Sequence, residues 1–158
     1  MQKITTFLWY DNNAEEALNF YTSIFKNAKI GKIQRYGKGA PMPEGLFFTA
    51  SFELEGQEFM AMNAGPHFKF TEAISLMVKC KDQAEVDFFW EAFISQGGQE
   101  SQCGWLKDKY GLSWQIIPDG LWETVWGKDA AGAGRAMQAM MQMKKIDVAK
   151  LEKAYKGE

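Results

Sequence analysis

Thr6-Phe7-Leu8-Trp9-Tyr10, followed after Asp11-Asn12-Asn13 by Ala14-Glu15-Glu16-Ala17-Leu18-Asn19-Phe20-Tyr21-Thr22-Ser23-Ile24-Phe25, decides the fold, because the chain repeats this pattern about 70 positions later. The first five residues read as a short strand. Ala14, Leu18, Phe20, Tyr21, Ile24 and Phe25 then recur at helical spacing. In the second copy Leu76-Met77-Val78-Lys79-Cys80 is the strand, and Ala84, Phe88, Trp90 and Ile94 mark the helix. Extended segments follow each helix, among them Glu55 to Met62 and Tyr110 to Ile117. A duplicated strand, helix and meander unit predicts an α+β fold of two modules whose sheets curve into a cup around a shared concavity.

Working outward, Asn12-Asn13 ahead of Glu15-Glu16 reads as a helix cap followed by carboxylates at the positive helix end. Ala28 to Tyr36 reads as a strand, and Gly37 to Gly45, with Pro41 and Pro43, as a connection that the second copy lacks. Leu46 to Leu54 and Glu58 to Met62 form a hairpin turning at Glu55-Gly56. The loop from Asn63 to Thr71 holds the only histidine, His67, and its flanking Phe68 and Phe70 suggest a loop tucked against the sheet. The second helix stops near Gly97-Gly98. Gln102 to Leu106 and Leu112 to Ile117 form the last hairpin, with Lys107-Asp108-Lys109 in a solvated turn, and Pro118 ends the run. From Leu121 the pattern becomes a helical tail rich in methionine, with Asp147 capping a helix through Val148, Leu151 and Tyr155. Such a tail either packs on its own sheet or covers a partner subunit or a pocket mouth. The expected divisions are 1–64, 72–120 and the tail 121–158, within one compact domain.

Composition bounds the function. With 46% hydrophobic and 15% aromatic residues against 24% charged, the 158-residue chain is long enough to bury an aromatic-rich core. A formal net charge of −2 offers no general attraction to phosphate backbones or anionic lipid, so nucleic acid and membranes are not expected partners. Met1 to Thr6 runs straight into the first strand without the apolar stretch of an export signal. Cys80 and Cys103 are then best read as free thiols, and the chain as cytoplasmic.

Phe7-Leu8-Trp9-Tyr10-Asp11 with Ala14 to Ala17 and Phe20-Tyr21, then Asn63-Ala64-Gly65-Pro66-His67-Phe68-Lys69-Phe70, then Cys103 to Pro118, carry a family resemblance. Together they resemble the PhnB-like branch of the vicinal oxygen chelate superfamily, which includes glyoxalase I, bleomycin-resistance proteins and extradiol dioxygenases. The resemblance extends over most of the chain, including Arg135 to Asp147 in the tail. It implies paired βαβββ modules, a homodimer and a cavity enclosed by each curved sheet. Members of this branch often carry the label demethylubiquinone 3-methyltransferase. A methyltransferase using S-adenosylmethionine usually needs a glycine-rich turn after its first strand, and here that strand runs into Tyr10-Asp11-Asn12-Asn13.

Metal-dependent members of the superfamily place His, Glu or Gln on the first and last strand of each module. By register these positions fall near Thr5 or Thr6, at Met60, near Ser75 or Leu76, and at Gln115. Only Gln115 is a donor of the right kind, and a weak one, so the expectation is no metal site and no cofactor. The candidate ligand-binding residues are Trp9 (or Leu8), Met60, Met62, His67, Trp105 and Gln115. Ser113, Gln115 and Ile117 share one strand face, which sends Trp114 under the helices if Gln115 points inward. His67 is the one candidate general base, against the alternative of a surface or packing residue. Cys103 is weighed as a nucleophile against a small buried apolar residue, and Asp11 is read as a turn or cap acceptor. An apolar cup with one or two amides suits a flat or aliphatic small molecule. The readings carried forward are a small-molecule binding protein of this superfamily and, against it, a glyoxalase-like, dioxygenase-like or methyltransferase-labelled enzyme.

Overall fold

The computed structural model describes Met1 to Glu158, the whole chain. The residues form two compact units, Met1–Phe70 and Thr71–Glu158.

The first unit runs β1 (Thr6–Tyr10), α1 (Ala14–Ile24), β2 (Ala28–Arg35), β3 (Phe47–Leu54) and β4 (Gln57–Asn63). Its sheet order is β1-β4-β3-β2, with β1 parallel to β4 and the other pairs antiparallel. Period-two alternation separates the two faces. Leu8, Tyr10, Ala50, Phe52, Phe59, Ala61 and Asn63 are buried, and α1 lies on that face through a Tyr10–Tyr21 hydroxyl contact of 3.0 Å and packing of Tyr21 on Phe52. Phe7, Trp9, Met60 and Met62 point the other way, as strand partners Phe7↔Met60 and Trp9↔Met62. The β3–β4 hairpin turns at Glu55-Gly56, both at positive φ, as two-residue hairpins of this twist require.

The start of α1 departs from its local sequence signal. Asn13 occupies the cap position but its side chain makes no capping hydrogen bond. Instead Asn63, 49 positions away at the end of β4 and 1% exposed, accepts from the Ala14 backbone N–H at 2.9 Å. Its amide nitrogen donates to the Phe47 carbonyl at 3.3 Å, and its backbone carbonyl accepts from the Tyr36 hydroxyl at 2.7 Å. One amide therefore satisfies an orphan helix donor and ties the helix to the sheet.

The second unit repeats the scheme as β5 (Ser75–Cys80), α2 (Gln83–Ser95), β6 (Gln99–Glu100), β7 (Trp105–Lys107) and β8 (Ser113–Pro118), in the order β5-β8-β7-β6. Again the first and last strands pair parallel and the rest antiparallel. Here the helix is capped locally, by Asp82 accepting from the Glu85 N–H at 2.9 Å. Trp114 faces α2 and packs on Phe93 at 4.8 Å between ring centres, the orientation expected if Gln115 lies on the opposite face.

Asp108 is not in a solvated turn. It is 3% exposed, and its carboxylate accepts from the Tyr110 N–H at 2.9 Å, the Leu112 N–H at 3.0 Å and the Trp114 indole N–H at 2.9 Å. Charged neighbours on either side made the segment look like surface, yet an aspartate that bonds its own downstream backbone is the usual organiser of such a turn.

The tail forms α3 (Leu121–Val125), α4 (Ala130–Met141) and α5 (Val148–Lys156) and packs within the second unit. Ile117 of β8 joins Leu121, Val125, Ala136, Met140, Ile146 and Leu151 in one apolar cluster. The connection before α5 is also bonded to the sheet. The Cys103 and Gly104 N–H groups donate to the Met143 and Lys144 carbonyls, each at 2.8 Å. Gln83 at the start of α2 donates to the Ile146 carbonyl at 3.0 Å and accepts from the Val148 N–H at 2.8 Å.

Candidate functional site

Each sheet has a face opposite its own helix, and five of the six candidate ligand residues divide between these faces by unit, with His67 on the loop after β4. In the first unit Trp9, Met60 and Met62 are grouped by strand pairing. Trp9 is already engaged. Its indole N–H donates to the Gly65 carbonyl at 2.9 Å, and Phe68 meets its ring edge-on at 4.9 Å. With Phe70 against Tyr10 at 5.2 Å, the loop after β4 is tucked onto β1 as its aromatic content predicts. His67 rides on this loop, exposed and with no hydrogen bond. Trp9 is therefore a post for the loop, and no carboxylate or hydroxyl is positioned to make His67 a general base.

In the second unit Trp105 and Gln115 are direct cross-strand partners, and Met77 stands opposite Gln115 on its other side. The Gln115 amide nitrogen donates to the Ser75 hydroxyl oxygen at 2.8 Å. One rung away on the same face lie Ser75, Ser113 and Lys107, with Ser113 paired to both neighbours. The Lys107 ammonium is held by Glu72 at 2.5 Å and keeps that carboxyl below the usual carboxylate range, chiefly through their hydrogen bond. The hairpin bearing these groups is stiffened from behind by Asp108, which holds Trp114 and so fixes which way Gln115 points.

Register decides between the alternatives at two of the four superfamily metal positions, setting aside Thr6 and Leu76. Thr6 pairs with Phe59 of the helix-covered face, so the β1 residue opposite Met60 is Phe7. Leu76 pairs with Trp114, which α2 covers; Met77 is opposite Gln115, with Ser75 bonded to it. The donor atoms at these places are thus a thioether, an aromatic ring, a hydroxyl and an amide. Borderline divalent metals require imidazole, carboxylate or thiolate donors, typically three from protein, and no group of three or more His, Cys, Asp or Glu side chains is so arranged. These residues do not fit the metal.

The remaining nucleophile candidates separate clearly. Cys80 is buried on β5 and its thiol is pushed up to about 12, first by burial and then by Glu85, Asp119 and Asp82, so it stays protonated and inert. Cys103 lies just before β7 at φ 58 and packs against the tail cluster. Asp11 gives its backbone carbonyl to the Gly65 N–H at 3.1 Å, a bond that does not involve its carboxylate.

Sequence reasoning did not single out Ser75 as a binding group, although it stands beside a proposed inward position, nor Ser113, although the alternation Ser113, Gln115, Ile117 puts it on the same face. Asp108 had a usable signal in its Asp-x-x-Gly spacing to Gly111. Asn63 had none, because its bond to Ala14 spans most of the unit.

The sequence profile of the 3-demethylubiquinone-9 3-methyltransferase family matches residues 2–117. Residues after Ile117, including α3 to α5, lie outside that match, so the profile does not cover the tail. Comparison with curated proteins gives no match. Among solved structures the chain is similar to a PhnB protein of Bacillus cereus described as a 3-demethylubiquinone-9 3-methyltransferase, at 42% identity and TM-score 0.69, over 74% of this chain and 99% of that one. It shares its fold with a glyoxalase/bleomycin resistance protein of Albidiferax ferrireducens, at 14% identity and TM-score 0.50, over 72% of this chain and 95% of that one. It shares it also with the fosfomycin resistance protein FosX of Listeria monocytogenes, solved with Mn(II) and sulfate, at 15% identity and TM-score 0.55, over 78% and 95%. The duplicated α+β units and these matches together place the chain in the 3-demethylubiquinone-9 3-methyltransferase, or PhnB-like, family of the vicinal oxygen chelate superfamily.

Proposed function

We propose that the protein binds a small organic molecule on the face of its second sheet opposite α2, beside the part that the tail covers, without a divalent metal, and that it works as a cytoplasmic homodimer. The observation that carries this reading is the arrangement of Trp105, Gln115 and Ser75. An aromatic ring stands beside an amide fixed by a 2.8 Å hydrogen bond, on a hairpin whose reverse side is locked. Binding needs shape and a few oriented hydrogen bonds. Catalysis would need an acid, base, nucleophile or Lewis acid at the same place; Trp105, Gln115 and Ser75 are neutral, and the Lys107 ammonium one rung away is engaged by Glu72.

The methyltransferase activity in the family description draws no support from this chain's residues. The turn from β1 to α1 is Asp11-Asn12-Asn13, without the glycines that let a backbone approach a nucleotide, and three of the four strands of that sheet run antiparallel to a neighbour.

Native mass spectrometry of the untagged protein with parallel elemental analysis tests the reading. A dimer retaining an organic adduct and substoichiometric in transition metal is the expected result. Near one equivalent of Mn, Fe, Ni or Zn per chain overturns it. Ligand addition should also quench tryptophan emission, and Trp105→Phe should remove that quench while leaving the spectrum of the other five tryptophans.

A further inference from the structure

The second unit contains a buried polar atom that its fold does not use. Ser113 is 1% exposed, and its hydroxyl has no hydrogen-bond partner. Leaving a buried hydroxyl unpaired costs about 1–3 kcal/mol, and alanine at this strand position would avoid that cost. Ser113 stands in register with Ser75 on one side and Lys107 on the other, one rung from Gln115 and Trp105. Ser75 receives the Gln115 N–H on its oxygen, so its own hydroxyl hydrogen remains to be donated. Three hydrogens are thereby offered from one patch: the Ser113 O–H, the Ser75 O–H and the second amide hydrogen of Gln115. Trp105 and Met77 flank them with apolar surface.

Building on the binding function proposed above, we infer that Ser113, Ser75 and Gln115 form a neutral donor pocket for the carbonyl oxygen of a flat, uncharged ligand that lies against Trp105. Charge selects against the obvious competitor. A carboxylate would need a counter-charge beside the donors: Lys107, in register with Ser113, is paired with Glu72, and the other ammonium on this face, Lys79, stands two rungs from Ser113 opposite Ile117. A hydrocarbon without an acceptor would leave the three donors unpaired. A carbonyl oxygen has two lone pairs and no net charge, which matches donors that are neutral and in excess.

Three probes of one shape separate these cases: 2-acetylnaphthalene, 2-naphthoate and 2-ethylnaphthalene, each titrated into the isotopically labelled full chain. Binding is read from the Trp105 indole and Gln115 side-chain amide signals. The ketone should bind more tightly than the anion and the hydrocarbon, by about three- to tenfold for one well-placed hydrogen bond. Ser113→Ala should erase most of that preference without lowering the melting temperature, since it also removes an unpaired hydroxyl. Equal binding of all three, tighter binding of the naphthoate, or a ketone preference that survives Ser113→Ala would overturn the donor pocket and leave small-molecule binding standing. If none of the probes moves the Trp105 or Gln115 signals, both the pocket and the binding face that it rests on fail.

Discussion

Helix α1 begins beneath an amide supplied from the far end of its sheet, whereas α2 begins beneath a carboxylate three residues from the N–H it caps. The sheets differ in the same spirit. In the first unit β2 and β3 are eight residues each and hold together by their ladder, while in the second β7 has three residues and a buried aspartate takes over the work of a longer ladder. Two copies of one topology thus reach the same shape with their anchoring side chains in different places. Ancestry of the pattern does not carry over to the residues that enforce it.

The strongest way to break the comparison is at Asp108. Asp108→Ala leaves the Leu112 and Tyr110 N–H groups and the Trp114 indole without their acceptor, and should cost about 4.5 kcal/mol, taking each hydrogen bond to the carboxylate at the low end of its range. Chemical denaturation followed by Trp114-sensitive fluorescence checks it. A loss below about 1 kcal/mol would mean that the β7–β8 ladder suffices alone. No equivalent position exists in the first unit.

The two caps sharpen the contrast. Asn63→Ala should cost about 2 kcal/mol because it frees a helix donor and a strand carbonyl together, and Asp82→Ala about 1 kcal/mol, as an ordinary cap loss does. Hydrogen exchange resolves them by region: the first should loosen both α1 and β4, the second only the first turn of α2. Equal and local effects would erase the distinction.

Acid should act on the second unit where its tail is held. The Asp87 carboxyl is kept below the usual aspartate range, first by its hydrogen bond with Lys145 and then by that from Gln83. A folded-state value below the unfolded one means that the stabilisation is fully present above the ordinary aspartate range and is lost as pH falls through the lowered value. Asp87→Asn should therefore flatten the acid limb of a stability-against-pH curve measured by thermal melting, and leave neutral stability little changed because the pair is half exposed. The smallest effect belongs to His67→Ala. An exposed side chain without a hydrogen bond should shift stability by no more than about 0.5 kcal/mol, and a larger loss would make His67 a packed residue.

Much of the fold was legible because it rests on patterns that local chemistry writes repeatedly. Alternation placed β3, β4 and β8, helical spacing placed α1 and α2, and the Glu55-Gly56 turn was readable from two residues. The duplication supplied the topology. What stayed hidden depends on partners distant in sequence or on register. Thr5 and Thr6 both stand as candidates for the inward position until β4 is laid beside β1 and pairs Thr6 with Phe59 of the helix-covered face. Asn63 looked like the first residue of a loop because its acceptor role exists only after α1 has docked. Asp108 was disguised by Lys107 and Lys109, whose charge drew it toward the surface when only their side chains lie there. On the candidate face, Gln115 and Trp105 drew notice because residue type is informative on an apolar face, and they stand together as strand partners, whereas Ser113 is unremarked until its burial is known.

The hydrogen bonds that join Cys103 and Gly104 to Met143 and Lys144 also bear on how the chain is made. Everything that fixes α1, including Asn63, has left the ribosome once Phe70 is clear, so the first unit is free to fold while the second is still being synthesised. The second must wait. Its Ile117 cluster lacks Ile146 and Leu151, and Gln83 lacks its bonds to Ile146 and Val148, until residues 146–151 emerge. For that interval the Cys103 and Gly104 N–H groups also lack their carbonyl partners, so the order of synthesis separates the completion of the two units.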